Sequence, residues 1–127
     1  MSQLAAKTVL IVDDSRFFRT ATERTLTRAG YGVVTAGDGE EALRAAREKV
    51  PNLILLDMLL PKLDGASVLR RLKADPSTKK IPVLVLTSLS QRNEEKLVAD
   101  GAAGFLEKER LTKDSQPLLQ ALAQLLQ

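Results

Sequence analysis

An α/β fold, a parallel sheet with helices on both faces, is predicted by two observations. Short apolar, β-branched runs alternate with segments of helical periodicity along the whole of a 127-residue chain. The stretch Leu53-Ile54-Leu55-Leu56 is apolar at four successive positions, which suits a strand covered on both faces rather than one. Strand–helix–strand units of this kind cross over right-handedly and leave their strands parallel.

Each element has its own local reason. Thr8 to Val12 is β-branched and apolar and forms the first strand. Asp13-Asp14-Ser15 ends it and caps a helix running to about Ala29. There Phe18, Ala21, Thr25, Leu26 and Ala29 recur at helical spacing, and Gly30 supplies the stop. Gly32 to Ala36 is the second strand. Asp38-Gly39 opens a second helix with the inner stripe Ala42, Leu43 and Ala46, ending before Pro51. The third strand, Leu53 to Leu56, delivers Asp57 at its carboxyl end. Pro61 to Gly65 is a loop ending in the cap Asp64, and Val68, Leu69 and Leu72 face inward from the third helix. Asp75-Pro76 stops that helix, because a residue before proline avoids the helical region. Ile81-Pro82 leads into the fourth strand, Val83 to Leu86. A fourth helix is expected from about Gln91 to Asp100, then a short fifth strand, Gly104 to Glu107. The last helix is amphipathic through Leu118, Leu119, Leu122, Leu125 and Leu126.

Composition narrows the chemistry. Hydrophobic residues at 44% and charged residues at 28% belong to an ordinary globular domain with a sizeable core. The expectation is one domain, residues 1–127, with no output domain. No apolar run approaches the length of a membrane span and no signal peptide is evident, so a cytoplasmic location without membrane association is expected. The chain has no Cys and no His. That excludes disulfides, thiolate or imidazole metal sites, Cys nucleophiles, Ser-His-Asp triads and a phosphohistidine on this chain. Net charge is +3 and the pI about 9.4. The basic residues are nevertheless spread along the chain among only four aromatics, Phe17, Phe18, Tyr31 and Phe105. No nucleic-acid partner is therefore expected.

In a parallel sheet the carboxyl ends of the strands share one edge, where ligands bind in open α/β folds. That edge receives Asp13 and Asp14 from the first strand, Asp57 from the third, Thr87 from the fourth and Lys108 from the fifth. Three neighbouring carboxylates repel one another unless a cation intervenes, and Mg²⁺ suits an all-oxygen set. A hydroxyl and an ammonium beside them suit a tetrahedral oxyanion. Together these groups describe an acceptor of a phosphoryl group.

These motifs carry a resemblance over essentially the whole chain. Val-Asp13-Asp14, Leu-Asp57-Met-Leu-Leu-Pro61, Asp64-Gly65, Leu-Thr87-Ser88 and Phe105-Leu-Glu-Lys108 occur in order. The sequence resembles a response-regulator receiver domain, the CheY-like family of two-component signalling, in single-domain form. The resemblance implies a doubly wound (βα)5 flavodoxin-like fold with strand order 2-1-3-4-5. It also implies that Asp57 is the phosphoacceptor, attacking a phosphohistidine of a histidine kinase or histidine phosphotransfer protein. Asp14, Asp57 and the Met58 carbonyl would ligate Mg²⁺, with Asp13 acting mainly through a bound water. Lys108 and Thr87 would contact phosphoryl oxygens, and Ser88 could offer its backbone N–H. Thr87 and Phe105 would form a switch that alters a surface read by a downstream target protein. Such a domain is not an enzyme on other substrates; it catalyses only its own phosphotransfer and dephosphorylation. Ser15, Arg16, Arg19 and the loop after Lys108 would meet the donor, and Arg92, Lys96 and Phe105 the target.

Some positions depart from the family pattern. Glu109 follows Lys108 where Pro is frequent, and a trans bond is expected there. Phe105 stands for the frequent Tyr. Leu59 and Leu89 are apolar where polar groups often assist water, which implies slow loss of the phosphoryl group. Two other readings exist: a pseudo-receiver that binds partners without phosphorylation, and a flavodoxin-like cofactor binder. The latter needs a phosphate-binding loop after the first strand, where Asp13-Asp14 would repel a phosphate.

Overall fold

Five short strands form one all-parallel sheet in the order β2-β1-β3-β4-β5: β1 Thr8–Val12, β2 Gly32–Ala36, β3 Leu53–Asp57, β4 Val83–Thr87 and β5 Gly104–Glu107. The helices are α1 Arg16–Arg28, α2 Gly39–Lys49, α3 Gly65–Ala74, α4 Glu94–Ala99, α5 Lys108–Leu111 and α6 Gln116–Leu125. This computed structural model describes residues 6–88 and 94–126. Leu89, the expected helix start at Gln91, and Arg92 lie outside the described residues. No described helix is long and apolar enough to cross a membrane.

The two-residue period of a strand divides the core into two layers. Leu10, Val12, Ile54, Leu56, Val83 and Val85 pack against α2, α3 and Leu97 of α4. Val9, Ile11, Leu53, Leu55, Leu84 and Leu86 pack against Phe18 and Leu26 of α1 and Leu118 and Leu122 of α6. Every residue of β3 and β4 is buried, as a central parallel strand requires.

The expected caps are present. Ser15, Asp38 and Asp64 accept the backbone N–H groups of Phe18, Glu41 and Ser67. Gly30 follows α1 with φ +99°, a left-handed conformation that costs glycine little. Two expectations are corrected. The buried stripe of α1 is Phe18, Thr22 and Leu26, while Ala21 and Ala29 face solvent. Spacing by four keeps one side of the helix on the sheet, and alanine is small enough to sit on either side. A separate four-residue helix, α5, also begins at Lys108 before the final helix. It is too short to carry an amphipathic period. No cis peptide bond occurs among the described residues, in agreement with the expected trans Lys108–Glu109 bond.

Candidate functional site

Sheet register assembles the site. Val12 pairs with Leu56 across the centre of the sheet, so the next residues, Asp13 and Asp57, emerge side by side. Both continue the alternation that faces α1 and α6. Asp13 is fully buried and Asp57 nearly so, whereas Asp14 is exposed. Each of the three offers a carboxylate oxygen, and these oxygens lie within 4.8 Å of one another. Hard oxygen donors gathered so closely fit a divalent cation such as Mg²⁺.

The buried acids are held in defined orientations. Asp13 Oδ1 accepts the Ser15 N–H at 2.8 Å, and its backbone carbonyl accepts from the Arg19 guanidinium at 2.7 Å. Asp57 Oδ1 accepts the Leu59 N–H at 3.1 Å. The remaining oxygen of each acid meets Lys108, whose Nζ lies 2.7 Å from Asp13 Oδ2 and 3.1 Å from Asp57 Oδ2. Glu107 pairs with Thr87 at the end of the sheet, and the next residue is Lys108. An ion pair spanning 51 residues thus follows from register alone.

The electrostatics oppose one another. Burial is the largest influence on Asp57 and raises its pKa; the Leu59 N–H works against this, the Asp13 charge adds to it, and Lys108 counters it. Burial pulls Lys108 down, but its close ion pair with Asp13 and the charge of Asp57 outweigh burial, and its pKa is raised. The ammonium therefore remains charged and substitutes for part of the positive charge that the acids demand.

The other predicted residues fall around this centre. Asp14, Asp57, Leu59, Ser88, Lys108 and Glu109 line an open cleft of about 560 Å³ with Thr112 and Lys113. The Met58 carbonyl accepts the Gly65 N–H at 3.2 Å, which fixes its direction. A Cβ on Gly65 would lie 2.5 Å from Met58 Cα and 2.7 Å from the Asp57 carbonyl, so only glycine lets α3 start this close to the site. Thr87 is buried, and its hydroxyl is held loosely, 3.5 Å from the Leu106 carbonyl. Phe105 is half-buried against the α2–α3–α4 layer. It shares with Thr87 and Leu106 a small pocket of about 150 Å³.

Sequence reasoning missed two contributors. Arg19, assigned to a partner surface, turns inward to the Asp13 carbonyl. Phe18, read as an ordinary helix hydrophobe, places its ring centroid 4.8 Å from Lys108 Nζ. The only available signal for either was its place in the turn after Asp13-Asp14. Phe17 is 80% exposed.

Comparison with known proteins agrees with this geometry. The family described as response regulator receiver domain matches residues 9–123. The alkaline phosphatase synthesis transcriptional regulatory protein PhoP of Bacillus subtilis is 40% identical over 103 residues, 80% of this chain and 42% of that protein. The response regulator PleD of Caulobacter vibrioides is 42% identical over 101 residues, 79% of this chain and 22% of its own length. The chain thus spans less than half of these relatives. Among solved structures, the chemotaxis response regulator CheY4 of Vibrio cholerae superposes with a TM-score of 0.87 at 32% identity, covering 96% of this chain and all of that one. The receiver domain of sensor histidine kinase PA1611 from Pseudomonas aeruginosa, solved with magnesium coordinated in its active-site cleft, gives 0.79 at 30% identity, over 92% and 97% of the two chains.

Proposed function

The chain belongs to the response regulator receiver family, and from that premise we propose that Asp57 is its phosphoacceptor in a two-component signalling system. The observation that carries the proposal is the pairing of Asp57 with Asp13 under a bridging lysine, beside a third acid. The donor is a phosphohistidine of a sensor kinase or phosphotransfer protein, and the output is binding of a downstream target. Residues 1–127 act as one receiver unit in the cytoplasm. Catalysis is confined to the domain's own phosphorylation and dephosphorylation.

In the proposed reaction an Asp57 oxygen attacks phosphorus, a P–O bond forms, and the P–N bond breaks with its electron pair leaving on the imidazole. The product is an acyl phosphate. Asp13, Asp14, Asp57 and the Met58 carbonyl would hold Mg²⁺, which when bound neutralises charge on the phosphoryl oxygens. Asp57 suits the nucleophile because burial leaves its carboxylate poorly solvated and more basic than usual. Lys108 stands at the same oxygens and can transfer its ion pair to the phosphoryl group. The loosely held Thr87 hydroxyl can turn to a second phosphoryl oxygen, opening space beside Phe105.

Acetyl phosphate with Mg²⁺ should add one phosphoryl mass to the wild type and none to Asp57→Asn. Equal labelling of both would remove Asp57 from its role. Leu59, 55% exposed at the cleft, offers attacking water no polar group. The acyl phosphate should therefore be long-lived, and Leu59→Asn should shorten its lifetime several-fold; an unchanged decay rate would show that Leu59 does not govern it.

A further inference from the structure

Lys108 Nζ has three neighbours of consequence: Asp13 Oδ2, Asp57 Oδ2 and the ring of Phe18. The ring is 6% exposed and belongs to the core layer between the sheet and α1. The turn that carries it is pinned to Asp13. The Phe18 N–H donates to Ser15 Oγ at 3.2 Å, and the Ser15 N–H donates to Asp13 Oδ1 at 2.8 Å. The hydrogen bonds that orient Asp13 therefore also seat the ring beside the ammonium.

The three neighbours differ in what the reaction does to them. A divalent cation would draw on the charge of both carboxylates, and phosphorylation would turn one oxygen of Asp57 into part of an acyl phosphate. The ring is untouched by either event. Its face is negative and attracts an ammonium, more so where water is partly excluded, and the Lys108 side chain is only 24% exposed.

We propose that Phe18 is a positioning residue for Lys108: its ring keeps the ammonium at the wall of the cleft once Asp13 and Asp57 are engaged, within reach of phosphoryl oxygens. The proposal rests on the phosphoacceptor reading above. It gives α1 a direct part in aiming a lysine that lies 90 residues further along the chain.

The test measures the rate of Asp57 phosphorylation by acetyl phosphate at saturating Mg²⁺ in the full chain. Phe18→Leu retains an apolar side chain without a ring face and should slow the reaction about two- to fivefold. Stepwise fluorination of the Phe18 ring withdraws charge from its face with little change of shape. It should lower the rate in the same order, even if the leucine variant folds poorly. In a Lys108→Gln background neither change should affect the residual rate. A rate indifferent to fluorination, or one that falls equally with and without Lys108, would reduce Phe18 to a packing residue. Labelling of Asp57→Asn like the wild type would instead defeat the phosphoacceptor reading and leave the ring contact without a reaction to serve.

Discussion

Lys108 is the residue on which the unmodified site balances. It joins two buried carboxylates that would otherwise face each other unpaired. Its raised pKa has a definite consequence for stability. Because the folded value lies above the ordinary 10.5, the stabilisation is complete below that pH and is lost as pH rises through the folded value. Lys108→Gln should therefore cost about 2 kcal/mol at neutral pH, and the gap to wild type should narrow in alkaline solution. Urea midpoints measured across that range decide the matter; parallel curves would show that the ion pair contributes no stability. That Lys108 belongs with Asp57 was legible from the strand pattern, since both end parallel strands. That Phe18 sits beside it was not, because helical spacing reports which residues turn inward and not what they meet there.

At the scale of elements, the strands were the most legible part, for a short apolar run such as Leu53 to Leu56, flanked by Pro51 and Pro61, suits a strand buried on both faces. Caps were equally plain, because Asp38 and Asp64 each precede a helical pattern with a side chain that can accept its free N–H groups. Helix faces were less so: Ala21 and Thr22 differ little in the cost of exposure, and geometry chose threonine. One departure escaped notice. Val50 closes α2 at φ 43°, ψ 65°, a left-handed conformation that β-branched residues avoid. Its side chain is largely exposed, so the strain has no packing to offset it. Val50→Gly should raise stability by about 1 kcal/mol. Gly30→Ala, at φ +99° with open space around its Cβ, should lower it by a similar amount. Thermal unfolding of the pair checks both signs, and an unchanged midpoint for Val50→Gly would mean that α2 ends without strain.

At the scale of the whole molecule, the acidic cluster exists only when β1 and β3 are paired in register. In the unfolded chain Asp13 and Asp14 stand more than 40 residues from Asp57, and no common cation holds them. A divalent ion that spans them therefore binds the folded state alone. Such binding stabilises the fold by RT ln(1 + [L]/Kd), about 2.7 kcal/mol when the ion is present at a hundred times its Kd. The urea midpoint should climb with the logarithm of Mg²⁺ concentration at constant ionic strength. Asp14→Asn is the informative variant, since Asp14 is exposed and its replacement disturbs little packing. Its midpoint without Mg²⁺ should equal or exceed that of wild type, because one of three mutually repelling charges is gone. Its response to Mg²⁺ should be much flatter. Equal slopes for the two proteins would mean that the cation binds elsewhere or not at all, and that the three acids meet at the sheet edge for some other purpose.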